Sequence, residues 1–122
     1  MTRIVIIGGG PAGYEAALVA AAYGADVTLI DSDGIGGACV LWDCVPSKTF
    51  IASTGIRTEV RRAIDLGINL RTDDALVTLP QIHQRVRDLA FAQSADIRDR
   101  LLSEGVTLVS GYASLEETHP GI

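Results

Sequence analysis

The sequence is poor in several residue types, and each shortage excludes a class of protein or a kind of partner. Two cysteines among 122 residues are too few for a small secreted scaffold that is held together by disulfides. A net charge of -5, with no basic stripe interleaved with aromatics, argues against nucleic acid or an anionic membrane surface as the main partner. No apolar run approaches the roughly 20 residues that a membrane-spanning helix needs. Hydrophobic residues make up 48% of the chain, which is typical of one globular domain with a sizeable core.

The N-terminal residues 1–25 imitate a secretory signal peptide, because Arg3 precedes a long apolar and alanine-rich run. The Gly-Pro cluster at residues 8–11 and the charge of Glu15 interrupt that run where its apolar centre would lie. We therefore reject the signal-peptide interpretation. One cysteine pair in an otherwise cysteine-free chain favours a reactive site in a reducing, cytoplasmic compartment.

The rare residues that are present cluster tightly. Both cysteines, the only tryptophan and the only lysine fall within residues 39–48. Every other basic residue of the chain is arginine. The single Lys48 beside two cysteines therefore indicates that arginine could not replace lysine at this position. Lysine is a compact and flexible point charge, whereas arginine is a rigid fork. A dithiol next to a small cation indicates redox chemistry.

The first thirty residues predict a βαβ unit. A continuous β-branched run at residues 3–7 is typical of a strand that is buried on both faces. A glycine loop at 8–13 leads into an alanine-rich helix over 11–23, and a second strand follows at 26–31. The expected fold class is therefore α/β, with a Rossmann-like domain and a parallel sheet.

The rest of the chain continues the alternation of helix and strand. Residues 44–66 predict a helix, 68–78 predict irregular structure, and an amphipathic helix begins near Pro80 and ends at Gly105. A third strand is expected at 106–109.

The glycine loop fits the dinucleotide-binding pattern G-x-G-x-x-G. Gly8 permits the tight turn, Gly10 lets the backbone approach a pyrophosphate, and Gly13 lets the helix lie close to the strand. The helix N-terminus offers amide donors and partial positive charge to phosphates. Asp31 ends the next strand, where a carboxylate can accept hydrogen bonds from a ribose. The alternatives are an ordinary structural turn and, for Asp31, a solvated carboxylate at the end of a strand.

The two cysteines, Cys39 and Cys44, are separated by four residues, which is unlike C-x-x-C and unlike a zinc knuckle. His83 and His119 are too isolated to complete a zinc site, so we predict no metal. Two buried and inert thiols are the structural alternative.

Cys44 stands at the predicted start of a helix, where Pro46 suits the first turn and the helix dipole favours a thiolate. The nearby charge of Lys48 acts in the same direction. A partner thiol at Cys39 allows reversible disulfide exchange.

These residues together resemble a known family. The chain looks like the N-terminal part of the class I pyridine nucleotide–disulfide oxidoreductases, which include lipoamide dehydrogenase, glutathione reductase and mercuric reductase. Their segment G-G-x-C-x-x-x-x-C-[IV]-P-S-K is matched here at Gly36, Gly37, Cys39, Cys44, Val45, Pro46, Ser47 and Lys48.

The resemblance implies FAD in the first glycine loop and a redox-active Cys39–Cys44 disulfide. Cys44 would be the charge-transfer thiol against the flavin, Cys39 the interchange thiol, and Lys48 a neighbour of the flavin's reactive nitrogen. The implied cofactor-binding residues are Gly8, Gly10, Pro11, Ala12, Gly13, Asp31, Ser32, Gly36, Gly37, Ala38, Cys39, Cys44, Lys48 and Ala113.

The residues before Cys44 bear on the electron acceptor. Lipoamide dehydrogenases usually carry Asn-Val-Gly there, whereas this chain has Leu41, Trp42 and Asp43. The segment is similar to V-L-x-D-C-V-P-S-K of actinobacterial NAD(P)H:quinone reductases. The resemblance thus implies a flavoprotein that acts on a dithiol or disulfide, like dihydrolipoyl dehydrogenase, or alternatively on a quinone. A noncatalytic nucleotide-binding module is the alternative of another class.

The sequence contains no second glycine loop for NAD(P)H and no dimerisation segment with a His-Glu pair. We therefore expect residues 1–122 to form the N-terminal part of an FAD-binding domain, incomplete by itself and unable to turn over alone. The complete enzyme is expected to use NAD(P)H and to be a homodimer.

Overall fold

The structure is a computed structural model that describes residues 1–69 and 76–116. Within these ranges it contains three strands, four α-helices and one 3-10 turn. Their bounds are β1 (Arg3–Ile7), α1 (Pro11–Ala22), β2 (Asp26–Asp31), α2 (Gly37–Leu41), α3 (Cys44–Ala63), the 3-10 turn (Ile64–Leu66), α4 (Leu79–Ser103) and β3 (Thr107–Ser110).

The three strands form one parallel sheet in the order β1-β2-β3, with β2 in the centre. Ile6 lies opposite Leu29, and Leu29 lies opposite Leu108. Parallel neighbours need a helical crossover, which α1 supplies between β1 and β2. The predicted α/β fold with a parallel sheet is confirmed.

The described chain divides into two compact units. The first unit comprises residues 1–37 and the chain from Ser94 onward, and the second unit comprises residues 38–93. The core of the first unit is built from small and aliphatic side chains of α1, β2 and the end of α4. Its buried members are Ala17, Leu18, Val27, Leu29, Leu101 and Val106.

Leu29 and Leu101 are both 0% exposed. Burial of a leucine side chain stabilises a fold by roughly 1.5–3 kcal/mol, so these two residues contribute strongly to the first unit. The second unit has a smaller set of buried side chains, namely Val40, Leu41 and Ala90. α3 contains no buried residue, and its Ile51 and Ile56 are each 66% exposed.

The expectation that β1 is buried on both faces is wrong. Ile4 and Ile6 are half-buried, whereas Val5 and Ile7 are each 56% exposed. Alternate side chains of a strand point to opposite faces, and α1 covers only one face of this sheet. Val5 and Ile7 lie on the face opposite to the one that packs Ile6 against the core of the first unit.

Two other differences concern local structure. The five-residue helix α2 was not predicted, and the end of the long helix near residue 66 is a 3-10 turn that Gly67 closes with φ at +82°. Residues 76–78 are irregular, as predicted, but 70–75 lie outside the described residues. His119 also lies outside them. No helix of the described ranges is both long and apolar enough to cross a bilayer.

Candidate functional site

The glycine loop joins β1 to α1 and is held in place by short backbone hydrogen bonds. Gly8 has φ at +105°, a region that side chains rarely adopt, and its amide donates to the Ile30 carbonyl oxygen at 2.8 Å. A Cβ on Gly13 would overlap the carbonyl oxygen of Gly8 and lie 3.0 Å from its carbonyl carbon. The loop therefore requires glycine at its first and last positions for two different reasons.

The N-terminus of α1 faces open space. Gly10 is the N-cap residue in an extended conformation, Pro11 occupies the first turn, and within the described residues no side chain caps this end. A Cβ placed on Gly10 would meet no described atom within 4 Å. Unbonded amides at the start of a helix attract anions, and the helix dipole strengthens this attraction. The arrangement can therefore hold a pyrophosphate.

Asp31 has a structural role that the sequence analysis missed. One carboxylate oxygen, Oδ2, accepts from the Gly9 amide at 2.6 Å. The other oxygen, Oδ1, accepts from the amides of Asp33 at 2.8 Å and Gly34 at 2.6 Å. The bond to Asp33 is an Asx turn, which the sequence Asp-Ser-Asp-Gly at residues 31–34 could have predicted. Asp31 thus links the glycine loop to the loop that follows β2.

The loop at residues 32–37 lies directly against the glycine loop. The Gly36 amide donates to the Gly9 carbonyl oxygen at 2.7 Å, and a Cβ on Gly37 would lie 2.8 Å from the Cα of Gly10. From α4, the Ser94 hydroxyl donates to the Ile35 carbonyl oxygen at 2.5 Å. The predicted residues Gly36 and Gly37 therefore support the glycine loop.

A small cleft of about 130 Å³ opens at the carboxyl ends of the three strands. The Gly111 amide donates to the Asp31 carbonyl oxygen at 2.9 Å and brings the chain after β3 to this edge. Ligands of open α/β sheets bind at the carboxyl ends of the strands. The lining residues are Ile7, Gly8, Ile30, Asp31, Ser32, Gly111, Tyr112 and Ala113.

Four predicted cofactor residues, Gly8, Asp31, Ser32 and Ala113, thus line one cleft. Tyr112, which is 92% exposed, is a lining residue that the sequence analysis did not identify. An exposed aromatic ring at such an edge can stack on a flat base.

The second unit contains the two cysteines. Cys39 lies in α2, Cys44 is the first residue of α3, and both are partly exposed free thiols. A hydrogen-bonding interaction with Cys44 raises the pKa of Cys39, as do partial desolvation and the charges of Cys44 and Asp43. Lys48, one turn along α3, acts in the opposite direction on the pKa of Cys39. The structure therefore brings the predicted thiols together.

The start of α3 carries the reactive segment. The Ser47 amide donates to the Asp43 carbonyl oxygen at 2.8 Å, and the Ser47 hydroxyl donates to the Cys44 carbonyl oxygen at 3.2 Å. Asp43 is the N-cap residue, but its side chain makes no capping hydrogen bond to the described part of the chain. The amide end of α3 thus remains oriented toward Cys44. The predicted residue Ala38 lies in α2, and Lys48 is exposed.

No group of three or more histidine, cysteine or acidic side chains suited to a metal ion occurs in the ranges 1–69 and 76–116. The first unit has the glycine loop, parallel sheet and strand-end cleft of a Rossmann-like dinucleotide-binding domain. The second unit carries a dithiol. The class of protein that these features define is a nucleotide-dependent redox protein.

The chain belongs to the pyridine nucleotide-disulphide oxidoreductase family, which it matches over residues 2–120. It is 63% identical over its whole length to an NAD(P)H dehydrogenase (quinone) of Mycobacterium tuberculosis and covers 25% of that protein. It is 32% identical over 95% of its length to a dihydrolipoyl dehydrogenase of Haloferax volcanii and covers 24% of it.

A crystal structure of LpdA from Mycobacterium tuberculosis superposes on this chain with a TM-score of 0.90. The sequence identity is 61%, and the match covers 100% of this chain and 26% of that one. The chain thus spans about a quarter of the length of the relatives that it matches.

Proposed function

We propose that this chain is the FAD-binding portion of a flavoprotein disulfide oxidoreductase. In the complete protein, electrons would pass between NAD(P)H, FAD and a redox-active Cys39–Cys44 pair. The observation that carries the proposal is a helix N-terminus without a side-chain cap in a chain that also holds two partly exposed free thiols on consecutive helices. Membership of the family supports the same conclusion.

The residues present fit an FAD molecule. Gly8 and Gly10 would leave room for the pyrophosphate, with the amides at the start of α1 as donors, and Gly13 lets α1 lie close to the loop. Asp31 accepts three amides, and a carboxylate has about four acceptor positions, so one remains for a ribose hydroxyl. The strand-end cleft that contains Ala113 would take part of the nucleoside. When bound, FAD would supply two-electron redox chemistry.

The chemistry of the chain's own residues is a thiol–disulfide interconversion. Oxidation of Cys39 and Cys44 forms one S–S bond and releases two protons and two electrons. The raised pKa of Cys39 keeps the proton on its sulfur in the reduced state. Lys48 opposes that effect, because its positive charge lowers the pKa of Cys39 and so favours loss of the proton at lower pH. An incoming disulfide would be attacked by the thiolate form of Cys39.

A quinone is the second candidate acceptor, in place of a dithiol or disulfide of the dihydrolipoyl type. It is favoured by the relative named as an NAD(P)H dehydrogenase (quinone), which is 63% identical, against 32% for the dihydrolipoyl dehydrogenase of Haloferax volcanii. We further propose that the complete protein is a cytoplasmic homodimer. The family resemblance supports the dimer, and the dithiol chemistry suits a reducing compartment.

The first experiment measures FAD binding to the purified chain by equilibrium dialysis and visible absorption. We expect a yellow complex that Gly13→Ala abolishes and that the matched variant Gly55→Ala retains. Gly55 is a helical glycine whose Cβ would meet nothing within 4 Å among the described residues. If wild-type chain and excess FAD give no complex, the proposed function is wrong.

The second experiment separates the two acceptors in a single turnover. The FAD-loaded chain is reduced with one equivalent of dithionite and mixed with either lipoamide or a quinone. Cys39→Ser should abolish oxidation by lipoamide and leave oxidation by the quinone intact. If Cys39→Ser reduces lipoamide as well as the wild-type chain does, or if the wild-type chain reduces the quinone but not lipoamide, the proposed role of the Cys39–Cys44 pair is refuted.

A further inference from the structure

A second cleft, of about 200 Å³, lies within the second unit. It is walled by the end of α2, the first turn of α3 and the middle of α4. Its principal lining residues are Leu41, Trp42, Pro46, Val86, Arg87 and Phe91. We call it the aromatic cleft.

Two aromatic side chains of the aromatic cleft are unusually exposed. Trp42 is 67% exposed and Phe91 is 56% exposed, in a chain with 5% aromatic residues. Large apolar groups that gather around one concave surface, rather than scattering singly, mark a binding site. Flat rings are the ligands that such side chains favour, through offset or edge-to-face stacking.

The aromatic cleft lies beside Cys44, one of the two cysteines. Trp42 lies two residues before Cys44 and Pro46 lies two residues after it, so the backbone that carries Cys44 also forms one wall. A small molecule in the aromatic cleft is thereby held beside the reactive segment. The volume suits a ring-sized molecule and not a peptide.

Arg87 is the polar group of the aromatic cleft. Its Nη2 donates to the Gln84 Oε1 at 3.0 Å, and the Gln84 Nε2 donates to the Asp88 Oδ1 at 2.7 Å. This chain of bonds positions the guanidinium, which has five N–H donors and so retains others for a ligand. No acidic side chain lines the aromatic cleft within the described residues. The ligand that these groups recognise is flat and apolar and carries a hydrogen-bond acceptor.

We propose that the aromatic cleft binds the ring of a quinone, with Trp42 and Phe91 against the ring and Arg87 donating to a carbonyl oxygen. The inference rests on the proposed function in its quinone form and adds the residues that recognise this substrate. A quinone combines the flat apolar ring and the acceptor oxygens that the lining requires, whereas a lipoyl group is neither flat nor aromatic.

Binding is tested on the full chain without FAD or reductant, so the result does not depend on flavin binding. The probe is duroquinone, whose four methyl groups leave no ring position for thiol addition. Trp42 is the only tryptophan, so quenching of its fluorescence reports occupancy of the aromatic cleft. Durene, the matching hydrocarbon without oxygens, does not itself quench tryptophan, so its binding is measured by competition with duroquinone and shows what the carbonyls contribute.

We expect saturable quenching by duroquinone and about fivefold weaker binding in Phe91→Ala and in Arg87→Ala. The matched controls are Leu89→Ala and Arg85→Ala, which change the same helix outside the aromatic cleft and should bind as wild type does. Durene should bind more weakly, with no effect of Arg87→Ala. Circular dichroism of each variant establishes that α4 is intact.

Several results would overturn the proposal: quenching that rises linearly without saturation, equal binding of durene and duroquinone, or equal affinities in the cleft and control variants. Failure of the proposed function looks different, because the chain would then bind no FAD whatever the outcome with duroquinone. If the chain binds FAD but shows no saturable quinone binding, the proposed quinone site in the aromatic cleft is refuted and the proposed function is not.

Discussion

Replacing Gly13 with alanine should destabilise the first unit and abolish FAD binding. An alanine Cβ would overlap the Gly8 carbonyl oxygen and lie 3.0 Å from the carbonyl carbon. Both atoms belong to the backbone of a loop that other hydrogen bonds hold, so neither can move away cheaply. Either the helix shifts away from the strand or the loop loses the shape that receives a pyrophosphate.

The magnitude follows from a matched pair of variants. Overpacking of this kind costs about 1–3 kcal/mol. Alanine is a better helix former than glycine by roughly 0.5–1 kcal/mol, and this gain applies to Gly13→Ala and Gly55→Ala alike. Gly55 is in the middle of α3 and has open space around it, so its variant should gain that stability. The difference between the two variants therefore isolates the backbone collision, at about 1–3 kcal/mol.

The assay is urea unfolding followed by far-ultraviolet circular dichroism, together with FAD binding to each variant. The free energy of unfolding should fall in Gly13→Ala and rise slightly in Gly55→Ala. Equal free energies in the two variants, or retention of FAD by Gly13→Ala, would refute the reasoning that the close approach of α1 to the loop shapes the site.

Three further predictions concern other groups. Asp31→Asn replaces an oxygen acceptor by an amide that faces backbone donors, and should cost about 1–3 kcal/mol in urea unfolding and weaken FAD binding. Alkylation of Cys39 by iodoacetamide, followed by mass spectrometry, should reach half-maximal rate at a higher pH than for an ordinary cysteine, because its pKa is raised and only the thiolate reacts. Asp43→Asn should lower that midpoint. Leu101→Ala should cost about 2–5 kcal/mol in the same unfolding assay, since the side chain is 0% exposed.

Each of these has a control. Asp33→Asn changes an exposed carboxylate that accepts no hydrogen bond from the described chain, so it should leave stability unchanged. Lys48→Gln should move the Cys39 midpoint upward, opposite to Asp43→Asn. Leu102→Ala alters a side chain that is 48% exposed and should cost far less than its neighbour. A midpoint that both charge variants shift in one direction contradicts the electrostatic account.

The helices and strands whose ends are marked by glycine or proline were predictable from the sequence. The predicted strands 3–7 and 26–31 coincide with β1 and β2, because a glycine loop follows the first and an acidic turn follows the second. The helix α2 was missed, since a five-residue helix that begins at Gly37, directly after Gly36, has too few turns to show a period. Burial of β1 was misjudged because a β-branched run does not reveal how many faces are covered.

For the site, the residue types were predictable and their bonds were not. The glycine loop was identified from its pattern between a predicted strand and helix, and the redox role of the two cysteines was implied by the family resemblance. The use of Asp31 as an acceptor for Gly9 depends on how two loops, 22 residues apart, approach each other. The Ser94 hydroxyl donates to the carbonyl oxygen of Ile35, which is 59 residues away in the sequence, so no local sequence pattern could predict this bond. Tertiary hydrogen bonds of this kind exist only after the fold has brought their partners together.

Within the described sheet, β1 has an exposed apolar face and an unpaired edge, and both favour self-association of the chain. Val5 and Ile7 are solvent-exposed on a strand that ends the described sheet, so one row of backbone donors and acceptors lies beside apolar side chains. Such an edge is a template for strand addition by another molecule, and a charge on the strand itself is the usual protection. Arg3 is the only charged residue of β1, and it is at one end. Pairing of this edge with a strand of another molecule is therefore the expected route of self-association, and Val5→Lys is the change that would oppose it.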